Sequence, residues 1–235
     1  MKTKLLSIAA SLAFVALASS GSQADVNLIQ NGGFEDPSIA TFYQNYGTQT
    51  NTPYSGTAFD AFWTVTSNNV DIVSGPNAPS GGVAAYQGTQ FLDLVGYGST
   101  GGISQTFSTV IGQTYNLSFA YGNNPWSTNS APPSALVDIT SSGDVLSTIV
   151  AHDGSTASNI NWTLYSGTFV AGSTTTTLSF DTKVGGNNGG ILLDAVSVSA
   201  VPELSTWVMM LMGFAGIGMM AYRRARKASS IGAIV

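Results

Sequence analysis

The 235-residue chain has no cysteine and a single histidine, and only 8% of its residues are charged. Without cysteine it forms no disulfide and no thiolate metal site, so its stability must come from an apolar core or a bound ion. Basic residues are scarce as well, because residues 25–200 contain eleven acidic residues and one Lys. Nucleic acid is therefore not an expected partner, since neutralising phosphates needs clustered Lys and Arg.

The motifs of common enzyme classes are also missing. His152 lies in Ala-His-Asp-Gly-Ser, but the chain has no Gly-x-Ser-x-Gly elbow, no phosphate-binding loop and no His-x-x-x-His pair. Nothing in the spacing of the acidic residues selects two of them for glycoside hydrolysis. We therefore predict that the protein is not an enzyme.

Both ends of the chain are apolar with basic residues beside them. Residues 1–24 combine Lys2 and Lys4 with an apolar stretch and a small-residue exit, the pattern of a signal peptide that signal peptidase removes. Residues 204–222 carry no charge, and as a helix they would span roughly 28 Å, about the thickness of a bilayer core. A basic cluster follows, of the kind that stays in the cytoplasm: Arg223, Arg224, Arg226 and Lys227. The sequence predicts a transmembrane helix over 204–222 and export of the residues before it.

The tail over 201–227 resembles a known sorting signal. Val201, Pro202 and Glu203 precede the apolar span and the basic cluster, an order similar to that of the PEP-CTERM tail. The resemblance implies recognition by an exosortase, a membrane transpeptidase-like enzyme of bacteria that make exopolysaccharide. Leu204 departs from the pattern, because the family has a second Pro there. The expected product is held transiently in the membrane and then reaches the cell surface or is secreted, and residues 228–235 form a short extension.

Residues 25–200 are rich in Thr, Ser, Gly and Asn and have the alternating apolar pattern of β-strands. Alternation is clearest over 113–121, where Tyr115, Leu117, Phe119 and Tyr121 share one face. Further strands are predicted near 26–30, 60–66, 69–74, 89–95, 102–108, 134–140, 144–150, 160–170, 175–181 and 190–199. Short strands separated by turn signals predict an all-β fold, an antiparallel two-sheet sandwich, with residues 37–56 as a long loop.

Four short motifs in this region resemble the galactose-binding-like jelly roll of carbohydrate-binding modules. They are Asn-Leu-Ile-Gln-Asn-Gly-Gly-Phe-Glu at 27–35, Gln-Phe-Leu-Asp-Leu at 90–94, Gly-Gly-Ile-Ser-Gln-Thr-Phe at 101–107 and Ile-Leu-Leu-Asp-Ala-Val-Ser-Val at 191–198. The resemblance implies a jelly-roll fold for most of residues 25–200.

The same resemblance implies a structural calcium ion. Glu35 and Asp194 match the acidic residues that help to hold Ca²⁺ in such modules, and Ala195 replaces the usual second acid of the closing motif. Calcium takes six to eight oxygen ligands, of which backbone carbonyls can supply several. The alternative, that both residues are solvated at a turn and a strand end, stays open.

A carbohydrate site needs an aromatic platform beside amide or carboxylate groups. Trp126 is the strongest candidate, because it lies in a loop directly after Asn123 and Asn124, with Tyr121 nearby. Trp63 and Trp162 lie in strand-like runs and are predicted to be core residues. The sequence thus predicts an exported surface or matrix protein that associates with extracellular polysaccharide. A structural, self-associating surface protein without a defined ligand is the alternative.

Overall fold

In the computed structural model the described residues are 26–47, 59–98, 100–127, 131–186, 188–202 and 204–231, and they form eleven strands, one 3₁₀ turn and one long helix. The strands are β1 (Tyr43–Gly47), β2 (Thr64–Ser67), β3 (Asn69–Ser74), β4 (Gln90–Asp93), β5 (Gly102–Ser108), β6 (Thr114–Asn123), β7 (Ser134–Thr140), β8 (Asp144–Ala151), β9 (Thr163–Val170), β10 (Thr175–Val184) and β11 (Ile191–Ala200). The 3₁₀ turn spans Pro79–Gly81, and the helix α1 spans Leu204–Ile231. The predicted signal peptide over 1–24 lies outside the described residues.

The strands form two antiparallel sheets. Sheet A has the order β1-β3-β4-β11-β6-β9, and sheet B has the order β2-β5-β10-β7-β8. The predicted all-β, two-sheet antiparallel sandwich is therefore confirmed.

The connectivity of β4 to β11 is that of a jelly roll. Consecutive strands in this run alternate between the sheets, except that β7 and β8 pair as a hairpin within sheet B. This path produces the four-stranded sets β4-β11-β6-β9 and β5-β10-β7-β8, the paired Greek keys of that fold. Strands β1, β2 and β3 extend the two sheets at one side.

The main core fills the space between the sheets. Alternate residues of each strand point inward, so Tyr115, Leu117 and Phe119 of β6 are buried there as predicted. Trp63 and Phe180 are also fully buried and pack 6.4 Å apart, measured between ring centroids. Trp63 is thus a core residue, as predicted.

A second apolar cluster covers part of the outer face of sheet A. Its strand residues are Val73, Phe91 and Leu192, and loop residues pack onto them. The loop residues are Ala78, Val83 and Ile160, with Phe42, Ala85, Trp126 and Trp162 at the margin. Trp162 lies against Phe91 with ring centroids 5.5 Å apart. This cluster supports the loops that form the candidate site.

The N-terminal segment does not form the strand predicted over 26–30. It docks against a bulge in β11, where Ala195 has a φ of 51°. The Asn27 side chain donates to the Val196 carbonyl and accepts from the Val198 amide. A side chain therefore makes hydrogen bonds that the backbone of a neighbouring strand would otherwise make. Gly32 completes the contact, because a Cβ at this position would overlap the Val196 carbonyl oxygen.

Strand β1 was not predicted, because it lies inside the stretch 37–56 that was expected to be a loop. It pairs with β3 along its whole length, with Tyr43 opposite Val73 and Asn45 opposite Asp71. The pairing places Tyr43 and Asn45 on the outer face of sheet A.

The C-terminal segment forms the helix predicted there, but α1 continues past residue 222 to Ile231. Val201 and Pro202 are exposed ahead of it, and Glu203 lies outside the described residues. Arg223 and Arg224 are exposed, and the side chains of Arg226 and Lys227 lie outside the described part. Within the part of the chain that the structure describes, no helix is both long enough and apolar enough to cross a membrane. The transmembrane span predicted over 204–222 is not confirmed.

Candidate functional site

A cleft of about 170 Å³ opens on the outer face of sheet A, beside the second apolar cluster. Its aromatic lining consists of Phe42, Tyr43, Tyr97 and Trp126. Its remaining lining consists of Asp71, Val73, Asp93, Asn124 and Asn188. Strands β3 and β4 supply the carboxylates. Tyr43 of β1 and the segments beside β1, β4 and β6 supply the rings.

The aromatic rings of the cleft support one another. Phe42 packs edge-on against Trp126, with centroids 5.0 Å apart, and against Tyr43 at 5.6 Å. Tyr43 and Tyr97 are 52% and 68% exposed, so both rings are open to a ligand. Trp126 is half-buried, and its indole Nε1 is buried without a hydrogen-bond partner. The cleft therefore offers exposed aromatic surface beside its carboxyl and amide groups.

Two carboxyl groups lie side by side in the cleft. Asp71 and Asp93 are direct partners in the antiparallel pairing of β3 with β4, a position in which Cβ atoms are about 5 Å apart. They are only 9% and 1% exposed. Asn45 donates from Nδ2 to Asp71 Oδ1 at 2.7 Å, and its own Oδ1 is buried without a partner.

Burial changes the protonation of this pair. Desolvation raises the pKa of Asp71 to about 6, against the partial compensation of the hydrogen bond from Asn45. Desolvation also raises the pKa of Asp93 well above its usual range, and the neighbouring charge of Asp71 raises it further. Hydrogen bonds from Asn124 and the Val95 amide lower the Asp93 pKa in part. The pair therefore retains protons at a pH where an exposed Asp has lost them.

Asn124 links the carboxyl pair to the aromatic wall. Its Nδ2 donates to Asp93 Oδ2 at 2.7 Å and to the Asn188 carbonyl at 3.1 Å, while its Oδ1 accepts from the Trp126 amide at 2.8 Å. One buried side chain thus fixes the loop that carries Trp126 relative to the floor of the cleft.

The sequence from residue 27 to residue 199 matches the model of one protein family, which is described as protein of unknown function (DUF642). The chain belongs to the DUF642 family. No curated protein matches it.

Several solved structures are similar to this DUF642 chain. One is the carbohydrate-binding module TmCBM61 in complex with β-1,4-galactotriose, at 15% identity over 75% of this chain and 99% of that one, with a TM-score of 0.49. Another is the xylan-binding domain CBM22-1 of Paenibacillus barcinonensis Xyn10C, at 16% identity over 60% and 86% of the two chains, with a TM-score of 0.40. A third is CBM35 from Paenibacillus barcinonensis, at 20% identity over 60% and 94%, with a TM-score of 0.37.

The four ligand-binding residues predicted from the sequence divide between two places. Asn124 and Trp126 line the cleft of the DUF642 domain. Tyr121 packs edge-on against His152 at 6.1 Å, and Asn123 Oδ1 lies 2.8 Å from His152 Nδ1 and accepts from the Ser155 amide. Tyr121 and Asn123 therefore hold the loop after β8 and do not line the cleft.

The structure brings the predicted calcium ligands Glu35 and Asp194 close together at the N-terminal segment. A Cβ on Gly33 would lie 3.9 Å from Asp194 Oδ1 and 4.0 Å from Glu35 Cγ. Protein donors already bind both carboxylates: Glu35 Oε1 accepts from the Thr89 and Gln90 amides, and Asp194 accepts from the Gln87 and Ala195 amides. These bonds tie the N-terminal segment to the loop before β4 and to the bulge of β11. Desolvation raises the pKa of Asp194 to about 7.

The site residues predicted from the sequence did not include Asp71, Asp93, Tyr43 and Tyr97. The two acids did leave a signal, because each interrupts an apolar strand, in Val-Asp-Ile and in Leu-Asp-Leu. A charge at such a position is exceptional unless it is paired or functional. Their position opposite each other depends on the register of β3 and β4, which the sequence alone did not provide.

Proposed function

We propose that this DUF642 domain binds carbohydrate without catalysis and that the cleft on sheet A is its binding site. The observation that carries the proposal is the convergence of aromatic rings with carboxyl and amide groups in one cleft. Sugar rings present apolar C–H faces that pack on aromatic side chains and hydroxyl groups that bond to polar ones. Tyr43, Tyr97 and Trp126 supply the first kind of surface, and Asn124 with Asn188 supplies the second.

Burial and hydrogen bonding favour binding over hydrolysis. A glycosidase needs two carboxyl groups that reach the scissile bond, one as the acid and the other as the nucleophile or base. In this cleft Asp71 and Asp93 are only 9% and 1% exposed. Each carboxyl group is also held by a neighbouring amide side chain, Asn45 or Asn124. A reducing-sugar assay on the polysaccharide that binds best should therefore detect no turnover.

Calorimetric titration of the full chain tests the binding proposal. The probes are cellohexaose, xylohexaose and β-1,4-galactotriose, followed by extracellular polysaccharide from the producing organism. We expect saturable binding to at least one probe and a loss of about tenfold or more in Trp126→Ala, because this change removes the half-buried wall of the cleft.

Phe62→Ala is the matched control for this titration, since Phe62 is an exposed aromatic residue that does not line the cleft. Its affinity should equal that of the unaltered chain. An absence of binding to every probe would overturn the proposal and favour a structural, self-associating surface protein.

We further propose that the chain is exported and then processed by signal peptidase and an exosortase-type enzyme at the cell surface. Support comes from the order of motifs at both ends and from the exposure of Val201 and Pro202 between β11 and α1. Mass spectrometry of the protein from producing cells should find an N-terminus at Asp25 and a C-terminus near Glu203. An intact chain retained inside the cell would contradict this proposal.

Calcium at Glu35 and Asp194 stays a proposal. Glu35 Oε2 accepts from the Thr89 hydroxyl and Asp194 Oδ1 from the Ala195 amide, which leaves each oxygen a lone pair to share an ion with backbone carbonyls. Added calcium should raise the melting temperature, and the rise should disappear in Glu35→Gln. An unchanged melting temperature would mean that calcium does not bind there and that the hydrogen bonds from the protein alone hold the two carboxylates.

A further inference from the structure

Two acidic side chains form the floor of the cleft. Asp71 and Asp93 are buried side by side, and the buried Asn45 beside them, on the same face of sheet A, has an Oδ1 without a partner. A buried negative charge is costly unless a positive group compensates it. The floor of the cleft therefore favours a ligand that brings hydrogen-bond donors and a positive charge.

No basic side chain is among the residues that line the cleft. Lys183 is the only Lys or Arg between residues 25 and 200, and it interacts electrostatically with Asp181 on β10 of sheet B. Among the described residues, the groups that donate hydrogen bonds to the pair are neutral: the Asn45 and Asn124 amides and the backbone N–H groups of Val95 and Gly190. A cationic ligand would therefore stabilise the ionised form of the pair.

The walls of the cleft indicate which kind of cation fits. Phe42, Tyr43, Tyr97 and Trp126 offer rings, which attract an organic ammonium group through their π faces. Among the residues that the structure describes, no three acidic or histidine side chains cluster in a way that could hold a metal ion. An ammonium group has three donors and no acceptor, which matches two adjacent carboxyl groups.

We propose that the cleft selects a sugar that carries a primary ammonium group, such as glucosamine in a deacetylated polysaccharide. The ammonium group lies between Asp71 and Asp93, and the sugar ring packs on the aromatic wall. This inference rests on the proposed function, because it names the class of sugar that the same cleft binds.

The test compares glucosamine hexamer with N-acetylglucosamine hexamer, which has the same backbone without the charge. Both are titrated calorimetrically into the full chain at a pH at which the amine is protonated, in about 150 mM salt to screen weak surface attraction. We expect the glucosamine hexamer to bind at least tenfold more tightly. Asp71→Asn should reduce this preference to near one, since the amide keeps the shape and removes the charge.

Asp93→Asn provides a second variant in case Asp71→Asn fails to fold, and Asp153→Asn, an exposed carboxylate outside the cleft, should retain the full preference. Equal or tighter binding of the acetylated hexamer would overturn the amino-sugar inference and leave carbohydrate binding intact. A preference that survives in folded Asp71→Asn and Asp93→Asn would also overturn it. If neither these hexamers nor the neutral probes bind, both proposals fall. Saturable binding of calcium chloride alone that is lost in Asp71→Asn would instead make the pair a metal site.

Discussion

The inner and outer faces of sheet A are built from the same strands but differ in chemistry. On the inner face, Ile72, Leu92 and Leu193 join a continuous apolar core, whereas Asp71 and Asp93 occupy alternate positions of those strands on the outer face. Strand pairing places each row of residues, and packing against sheet B requires only the inner row to be apolar. The outer face has no opposing sheet, so it can carry the buried polar groups that a binding site needs.

The largest expected effect comes from breaking the inner face. Phe119 stacks on Tyr165 at 4.8 Å and packs edge-on against Phe180 at 5.1 Å. Phe119→Ala should lower the free energy of unfolding by about 3–5 kcal/mol, because it removes a large buried ring and leaves a cavity. Urea denaturation followed by circular dichroism measures this loss.

Phe91→Ala is the counterpart on the outer face. Phe91 is as fully buried, but its ring partner is Trp162 at the margin of the second cluster, where the loops can close over a smaller side chain. We expect a loss that is about 1 kcal/mol smaller than that of Phe119→Ala. An equal or larger loss would mean that the outer cluster is as much a part of the core as the inner one.

The alternation that predicted the strands also explains why only some of the predicted ligand-binding residues line the cleft. In β6, Tyr121 lies in the same inward-facing row as Tyr115 and Phe119, so its side chain cannot reach the outer face where the cleft lies. Asn124 and Trp126, which follow the strand, reach the outer face as the loop prediction required. Consistent use of the strand period would have removed Tyr121 and Asn123 from the site.

Other features depended on contacts between residues far apart in the sequence. Strand β1 was missed because its sequence shows no clear apolar alternation: the outward Tyr43 lines the cleft, and the outward Asn45 bonds to Asp71. The segment 26–30 reads as a strand, but Asn27 bonds it to the bulge of β11 through a side chain. The pairing of Asp71 with Asp93 follows from strand register, which local sequence does not specify.

A medium effect should come from pH, and it tests the burial of charge on the outer face. The folded-state pKa of Asp71 is about 6 against an ordinary value of 3.8, so the folded chain holds a proton that the unfolded chain has lost. Stability should therefore fall as pH rises from about 4 to 6, by up to about 3 kcal/mol for this group. The pKa values of Asp93 and Asp194 are raised as well, so stability should continue to fall as the pH rises further.

Asp71→Asn sharpens this prediction, because it removes the titrating group and keeps an acceptor for Asn45. Denaturant unfolding at intervals from pH 4 to 8 should give a flatter dependence below pH 6 for the variant. The fall toward pH 7 should persist, since Asp194 lies at the N-terminal segment, outside the cleft. A stability that rises with pH over this range would contradict the burial of these carboxyl groups in the folded state.

The smallest expected effect on stability, and the sharpest contrast between the faces, comes from Tyr97→Ala. With 68% of its surface exposed, the Tyr97 side chain contributes little to the core, so unfolding should change by less than about 0.5 kcal/mol. Affinity for the sugar that binds the cleft should still fall by roughly 3- to 10-fold, because a stacked ring is worth about 1 kcal/mol. Tyr97→Ala would thus weaken binding without weakening folding. Phe119→Ala cannot show this difference, because it destabilises the whole fold. If Tyr97→Ala leaves affinity unchanged in the same calorimetric titration, the ligand contacts only the deeper part of the cleft, between Trp126 and the carboxyl pair.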